Sequence, residues 1–282
     1  MQVRYAGCLL AALLLSACGG SSDKTKTTAP SGPQRLDVTA RDFALKINGS
    51  AALRPGEVTI TARNSGKQAH GMVLVKLNDG VDTPQLVDAL TNKPDRVPNL
   101  LTYVGGTTSL PKSAAWTATT SFDEGNYAML DVGTSTTGRL NFTRPGEVQA
   151  FTVSGSKVTT GAQAATAEVS LYDYGINIPK VIPSSGRIKV ENTGSDDHQL
   201  VFLPVSNTAE AKRVLRAFRT GKSTHVGARP VEVLAPTSSA TSSTVSYRLP
   251  KGAYIAYCSY RTARSQGRVH AGLGMLAAFA VQ

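Results

Sequence analysis

The sequence predicts an all-β protein made of two tandem sandwich domains of one fold, and three observations carry that expectation. Short runs such as EVTITA (Glu57 to Ala62), MVLVKL (Met72 to Leu77) and LVFLPV (Leu200 to Val205) have strand composition and patterning. Gly, Pro, Asn and Asp separate these runs at short intervals, as turns between strands require. The chain also repeats itself, with separate landmarks recurring at nearly constant offsets of 127 to 129 residues.

In chain order, residues 1–17 (MQVRYAGCLLAALLLSA) join one positive charge at Arg4 to an apolar run ending in small residues, the pattern of an export signal. Its end, LLSAC (Leu14 to Cys18), resembles the lipobox of bacterial lipoproteins. That resemblance implies a lipidated Cys18 and a chain anchored to the cell membrane on its extracytoplasmic face, within the cell envelope. Residues 18–33 lack apolar periodicity and are rich in Gly, Ser, Thr and Pro, so they read as a flexible tether. No later stretch is long and apolar enough for a transmembrane helix.

The first domain is expected over residues 34–157 and the second over 158–282. The boundary falls in SGSKVTTGAQAAT (Ser154 to Thr166), where turn residues replace the strand pattern. Each domain should carry one short helix, TPQLVDAL (Thr83 to Leu90) and TAEAKRVLRAFRTG (Thr208 to Gly221), because apolar residues there recur three and four apart. Gly221 is a plausible C-cap of the second.

The repeat is legible residue by residue. NSGKQAH (Asn64 to His70) matches NTGSDDH (Asn192 to His198), and GNYAMLD (Gly125 to Asp131) matches GAYIAYC (Gly252 to Cys258). GRLN (Gly138 to Asn141) matches GRVH (Gly267 to His270), and Phe151 matches Phe279. The copies then part. The second holds His198, Cys258, His270 and Met275; the first keeps His70 but has Asp131 for the cysteine, Asn141 for the second histidine and no methionine near Glu147. Packing alone would ask the same residues of both copies, so the four read as a site held by the second domain, its ligand set lost in the first.

Cysteine usage bears on the same site. Cys8 leaves with the signal and Cys18 is taken by lipid, so Cys258 has no intramolecular partner. In an oxidising compartment a lone thiol is either buried as a small apolar side chain or bonded to something, a metal being one such partner. Two imidazoles, a thiolate and a weak thioether are the donor set that favours type 1 copper: the thiolate suits Cu(I) and the imidazoles suit Cu(II).

With those residues in that order, the sequence resembles the cupredoxins. NTGSDDH is similar to the strand end that supplies their first copper histidine, and YIAYC with HAGLGM to the C-terminal strand and loop that supply the rest. The resemblance covers both halves after the tether. It implies two Greek-key β-sandwiches and one copper in the second domain, with His198 and His270 as equatorial ligands, Cys258 as thiolate and Met275 as axial ligand. Eleven residues separate Cys258 from His270, more than the short loop of small blue copper proteins. Closing such a loop costs only logarithmically more. His225 has no counterpart in the pattern and reads as a surface histidine.

The formal charge is +11, or +10 once Arg4 leaves with the signal. For an anchored protein this favours the envelope surface or an acidic protein as partner, and no Lys/Arg run interleaved with aromatics argues for nucleic acid. Arg261, Arg264 and Arg268 lie in the Cys-to-His loop, and Lys212, Arg213, Arg216 and Arg219 lie opposite the apolar stripe of the second helix. These are solvated faces or, on the sharper reading, a docking surface for an acidic redox partner. Copper nitrite reductases place a histidine beside the type 1 cysteine, whereas Cys258 sits between Tyr257 and Ser259. Multicopper oxidases need His-x-His pairs, which four widely separated histidines do not supply. The expectation is therefore electron transfer or copper handling without catalysis. The other class open to these residues is a metal-free binding or scaffold lipoprotein that kept the fold.

Overall fold

The computed structural model describes residues 34–42, 44–132, 147–160, 164–220 and 228–282. The signal, the tether with Cys18, the GRLN landmark with Asn141, Gly221 and His225 lie outside the described residues.

Within them the chain is all-β. Its first half runs β1 (Gln34–Arg41), β2 (Ala44–Asn48), β3 (Gly56–Asn64), β4 (His70–Leu77), α1 (Thr83–Asn92), β5 (Leu101–Leu110), β6 (Ala115–Phe122), β7 (Gly125–Val132) and β8 (Val148–Val153). The second half runs β9 (Ala167–Tyr172), β10 (Gly175–Asn177), β11 (Val181–Ile182), β12 (Ser185–Asn192), β13 (His198–Val205), α2 (Thr208–Thr220), β14 (Val231–Thr237), β15 (Ser242–Arg248), β16 (Gly252–Tyr257) and β17 (Leu276–Val281).

Strands β5-β4-β7-β8 form one sheet of the first half, and β11-β17-β16-β13-β14 one sheet of the second. A third sheet runs through both halves, β2-β1-β3-β6 continuing into β15-β12-β9-β10. Each half is thus its own sheet packed on its share of the common one. Val38 and Ile60 join Leu74 and Met129 in the core of the first, and Leu171 and Val190 join Phe202 and Ala256 in that of the second.

The strands that lead away from the two matched histidines, β4 and β13, are buried almost throughout, which explains why MVLVKL and LVFLPV are near-continuous apolar runs. One face of each enters the sandwich and the other is covered by a helix. Val73 and Val75 pack with Leu86 and Leu90 of α1, and Val201 and Leu203 with Val214 of α2. Helix α1 starts at a capping box in which Asp82 accepts from the Gln85 amide and Gln85 accepts from that of Asp82. In both halves the strand before the cysteine position carries a tyrosine stacked on a phenylalanine of the last strand, Tyr127 on Phe151 and Tyr254 on Phe279.

The halves meet through equivalent strands. β6 pairs antiparallel with β15, setting Ala118 opposite Val245 and Thr120 opposite Ser243. Beside this pair, β5 packs on β14. Trp116 donates its ring N–H to the Val233 carbonyl at 3.0 Å, and the half-buried Glu232 carboxylate accepts from Ser109 N–H (3.1 Å), from the hydroxyls of Thr107 (3.2 Å) and Thr108 (2.7 Å), and from Thr108 N–H.

Candidate metal centre

The first donor is placed by the Asn-x-Gly-x-x-x-His loop that leads into β13. Asn192 clamps it, donating to the carbonyls of Asp196 (2.8 Å) and Thr237 (2.7 Å) and accepting from Gly194 N–H (2.9 Å). The glycine has a steric reason: a Cβ on Gly194 would stand 2.5 Å from Asp173 Oδ1 and 2.7 Å from His198 Nε2. Those two atoms are bonded to each other at 2.9 Å, which leaves Nδ1 of His198 for the pocket. An outer carboxylate on one imidazole nitrogen is the usual way a protein fixes a metal-binding histidine through the other. Burial alone would raise the Asp173 carboxyl, but bonds from Ser195, His198 and the Asp196 amide outweigh it and hold it below the ordinary range.

The second and third donors come from the end of β16 and the turn after the long loop. Cys258, the one free thiol among the described residues, is fully buried, as are His198, His270 and Met275. His198 Nδ1 lies 3.1 Å from His270 Nδ1, which lies 3.6 Å from Cys258 Sγ, and the three donor atoms all fall within 4.8 Å of one another. Two donors that each sit about 2.0–2.3 Å from a shared ion stand roughly 3 to 4.4 Å apart, so these separations fit one ion. Met275 belongs to the same apolar cluster as Cys258; its carbonyl accepts from Cys258 N–H at 3.2 Å and its N–H donates to the His270 carbonyl at 3.1 Å.

The loop of eleven residues turns out to be an excursion closed on itself. His270 N–H donates to the Tyr260 carbonyl at 3.1 Å and Ala271 N–H to that of Cys258 at 2.9 Å, so the chain returns to within two residues of where it left. Between them, Gly267 N–H reaches the Thr262 carbonyl (3.0 Å), Arg261 the Gly267 carbonyl (2.7 Å), and Ser265 the carbonyls of Thr262 and Arg268. Thr262 also ties the excursion to the clamp loop, donating to Asp196 at 2.6 Å. Loop length therefore sets the size of a surface feature and leaves the position of His270 to two backbone bonds.

Burial holds the donors of the pocket in their neutral forms. Burial pushes the Cys258 thiol up to about 12, and burial together with the neighbouring His198 pushes His270 down to about 4. A neutral imidazole is the form that binds a metal, while the thiol gives up its proton to one. Gln199 N–H donates to Cys258 Sγ at 3.3 Å, a bond that stabilises a thiolate. The side chain of Gln199 bridges Ser259 (2.9 Å) to Glu232 (2.7 Å), and so joins the pocket to the contact between the halves.

The matched place in the first half is built on the same frame. Asn64 donates to the carbonyls of Gln68 and Leu110 and accepts from Gly66 N–H, as Asn192 does. Asp42 Oδ1 stands 3.4 Å from His70 Nε2, as Asp173 stands behind His198. Asp131 takes the place of Cys258 and bonds His70 Nδ1 directly. The sequence reading did not identify Asp42, Asp173 or Gln199. The two aspartates lie in loops 28 and 25 residues before their histidines, in VTARDF (Val38 to Phe43) and VSLYDY (Val169 to Tyr174), so the repeat itself was the signal that could have found them.

No protein-family model matches the sequence, and no curated protein sequence matches it. Among solved structures the chain is similar to a dithionite-reduced auracyanin from Roseiflexus castenholzii, with 19% identity over 41% of this chain and 94% of that one, at a TM-score of 0.26. It is also similar to a multicopper oxidase (11% identity, 91% and 92% covered, TM-score 0.26) and to a copper-containing nitrite reductase from Thermus scotoductus (13% identity, 88% and 61% covered, TM-score 0.24). These neighbours are cupredoxins and copper enzymes. For this chain it is the donor geometry that carries the functional reading.

Proposed function

We propose that the protein is a lipid-anchored, extracytoplasmic copper protein whose second domain would hold one copper ion through His198, Cys258 and His270, with Met275 as the fourth donor, for electron transfer or copper handling. The observation that carries this reading is the convergence of two imidazole nitrogens and one thiol within 4.8 Å in a fully buried pocket. Bound there, copper would supply a reversible one-electron couple; the chain supplies the soft and borderline donors, the outer carboxylate on His198 and the exclusion of water. We read the protein as non-enzymatic, because Tyr257 and Ser259 flank the thiol where a wired second centre would need a histidine. The test is the visible spectrum of the full chain after addition of Cu(II). A strong thiolate-to-copper absorption that vanishes in Cys258→Ser is expected; a colourless protein with a free, titratable Cys258 would instead favour the metal-free scaffold.

The partner we propose is an acidic redox protein. A groove of ≈ 300 Å³ is lined by Phe218, Arg219, Arg261, Arg268 and Val269, so the basic end of α2 and the basic excursion share one opening beside the pocket. Like-signed guanidinium groups around an apolar floor suit an acidic surface and make association depend on salt. Replacing Arg219 and Arg268 by alanine should slow reduction by an acidic donor about 10-fold at low ionic strength and leave the rate at high salt unchanged. A rate indifferent to salt would remove the proposal.

A further inference from the structure

The pocket of the first half has changed its donors and kept its frame. His70, Asp131 and Glu147 are buried there, with relative exposures of 1%, 7% and 2%, and offer donor atoms that lie within 4.8 Å of one another. Each stands where the second half has a candidate copper ligand. Gly71 N–H donates to Asp131 Oδ1 at 3.1 Å, just as Gln199 N–H donates to Cys258 Sγ. Asp131 N–H donates to the Glu147 carbonyl at 2.9 Å, just as Cys258 N–H donates to that of Met275. Asp42 stands behind His70 as Asp173 stands behind His198, and a Cβ on Gly66 would intrude between them at 2.6 and 2.7 Å.

A pocket that has only lost its copper is most cheaply refilled with apolar side chains, since buried charge is costly unless bonded or ligated. Here both sulfur positions carry carboxylates instead, and the imidazole keeps its outer carboxylate. One nitrogen and two carboxylate oxygens make a borderline-to-hard donor set, poor for Cu(I) and suited to Zn²⁺ or Mn²⁺. We propose that the first half binds one divalent cation of the zinc class through His70 Nδ1, Asp131 and Glu147, in the place of the hydrogen bond between His70 and Asp131. The protein then pairs a soft metal site with a hard one on two copies of the same frame.

The proposal does not depend on the copper reading, and its test is arranged accordingly. In the full chain carrying Cys258→Ala and His270→Ala, the second pocket has lost its thiolate and one imidazole. Zn²⁺ retained after dialysis is measured by elemental analysis, and Co²⁺ is added as a spectroscopic probe. One Zn²⁺ per chain is expected, with a Co²⁺ ligand-field spectrum free of sulfur charge transfer. The near-isosteric Asp131→Asn and Glu147→Gln should each weaken Zn²⁺ binding at least about 10-fold in that background. Absence of retained Zn²⁺ in the folded protein, or retention that survives either carboxamide variant, would overturn the proposal. Should the background variant fail to fold, the wild-type chain is compared with Asp131→Asn/Glu147→Gln: a loss of one Zn²⁺ per chain supports the site, and equal stoichiometry removes it.

Discussion

The pocket around His198 and the pocket around His70 share a clamp asparagine, a glycine, an outer aspartate and a backbone N–H aimed at the same side-chain position. They differ in what that position offers, sulfur from Cys258 in one and oxygen from Asp131 in the other. The frame that points an imidazole into a sandwich end is therefore separable from the choice of donors. It survives a change from thiol to carboxylate because the asparagine clamp bonds only backbone groups and the backbone N–H aimed at the exchanged position donates to sulfur and oxygen alike. On this view metal preference is decided at positions 258, 270 and 275, against 131, 141 and 147, and the clamp loop serves either chemistry.

The most severe way to break the contrast is to write one pocket's donor into the other. Cys258→Asp gives the second half the carboxylate of the first at the place where Gln199 N–H waits for an acceptor. The thiolate-to-copper absorption should disappear completely, while the unfolding transition stays cooperative, because Asp131 already shows that the frame accepts a carboxylate. Any residual sulfur-type band, read by absorption and by electron paramagnetic resonance, would mean that Cys258 is not the ligand.

A second experiment asks whether the frame is as shared as its bonds indicate. Asn192→Ala and Asn64→Ala each remove one acceptor and two donors and orphan two carbonyls, a loss of about 3 kcal/mol. The two variants should lose closely similar stability in denaturant unfolding of the metal-free chain, since neither clamp touches a donor atom. A large inequality would mean that one loop is held mainly by its pocket and the frame is not common to both.

Much of this organisation was legible in the sequence, and the remainder was hidden for identifiable reasons. The all-β class, the two helices and the repeat could be read because period, turn residues and spacing are local properties. Asn192, Gly194 and His198 stood out because one short loop holds all three. The outer aspartates Asp42 and Asp173 match in the repeat as well, in VTARDF and VSLYDY, but their contact with an imidazole was hidden because the packing of a distant loop creates it. The gap of eleven residues after Cys258 is longer than in small blue copper proteins, and the bonds from His270 to Tyr260 and from Ala271 to Cys258 make most of that length irrelevant to the site. Glu147 was passed over as the absence of methionine, although its offset of 128 from Met275 already marked it as the same position. Glu232 sat unremarked in a strand, its burial created only when the other half covers it.

Glu232 also supplies the gentlest test, because it is where the two halves touch nearest to the second pocket. Its carboxylate accepts from Thr107, Thr108 and Ser109 of the first half and from Gln199, whose backbone N–H bonds Cys258. Glu232→Gln replaces one acceptor oxygen by an NH₂ group facing donors, and should cost about 1–2 kcal/mol at acidic pH. Burial, partly opposed by the bonds from Thr108, raises this carboxyl above its ordinary 4.5. A carboxyl whose folded pKa is raised contributes its full stability below the unfolded value and loses it as pH climbs through the folded one. The gap between wild type and Glu232→Gln, followed by thermal unfolding, should therefore be widest near pH 4 and shrink toward neutrality. A gap that widened instead would mean that the five donors hold Glu232 ionised, and that the contact between the halves is built on a buried charge.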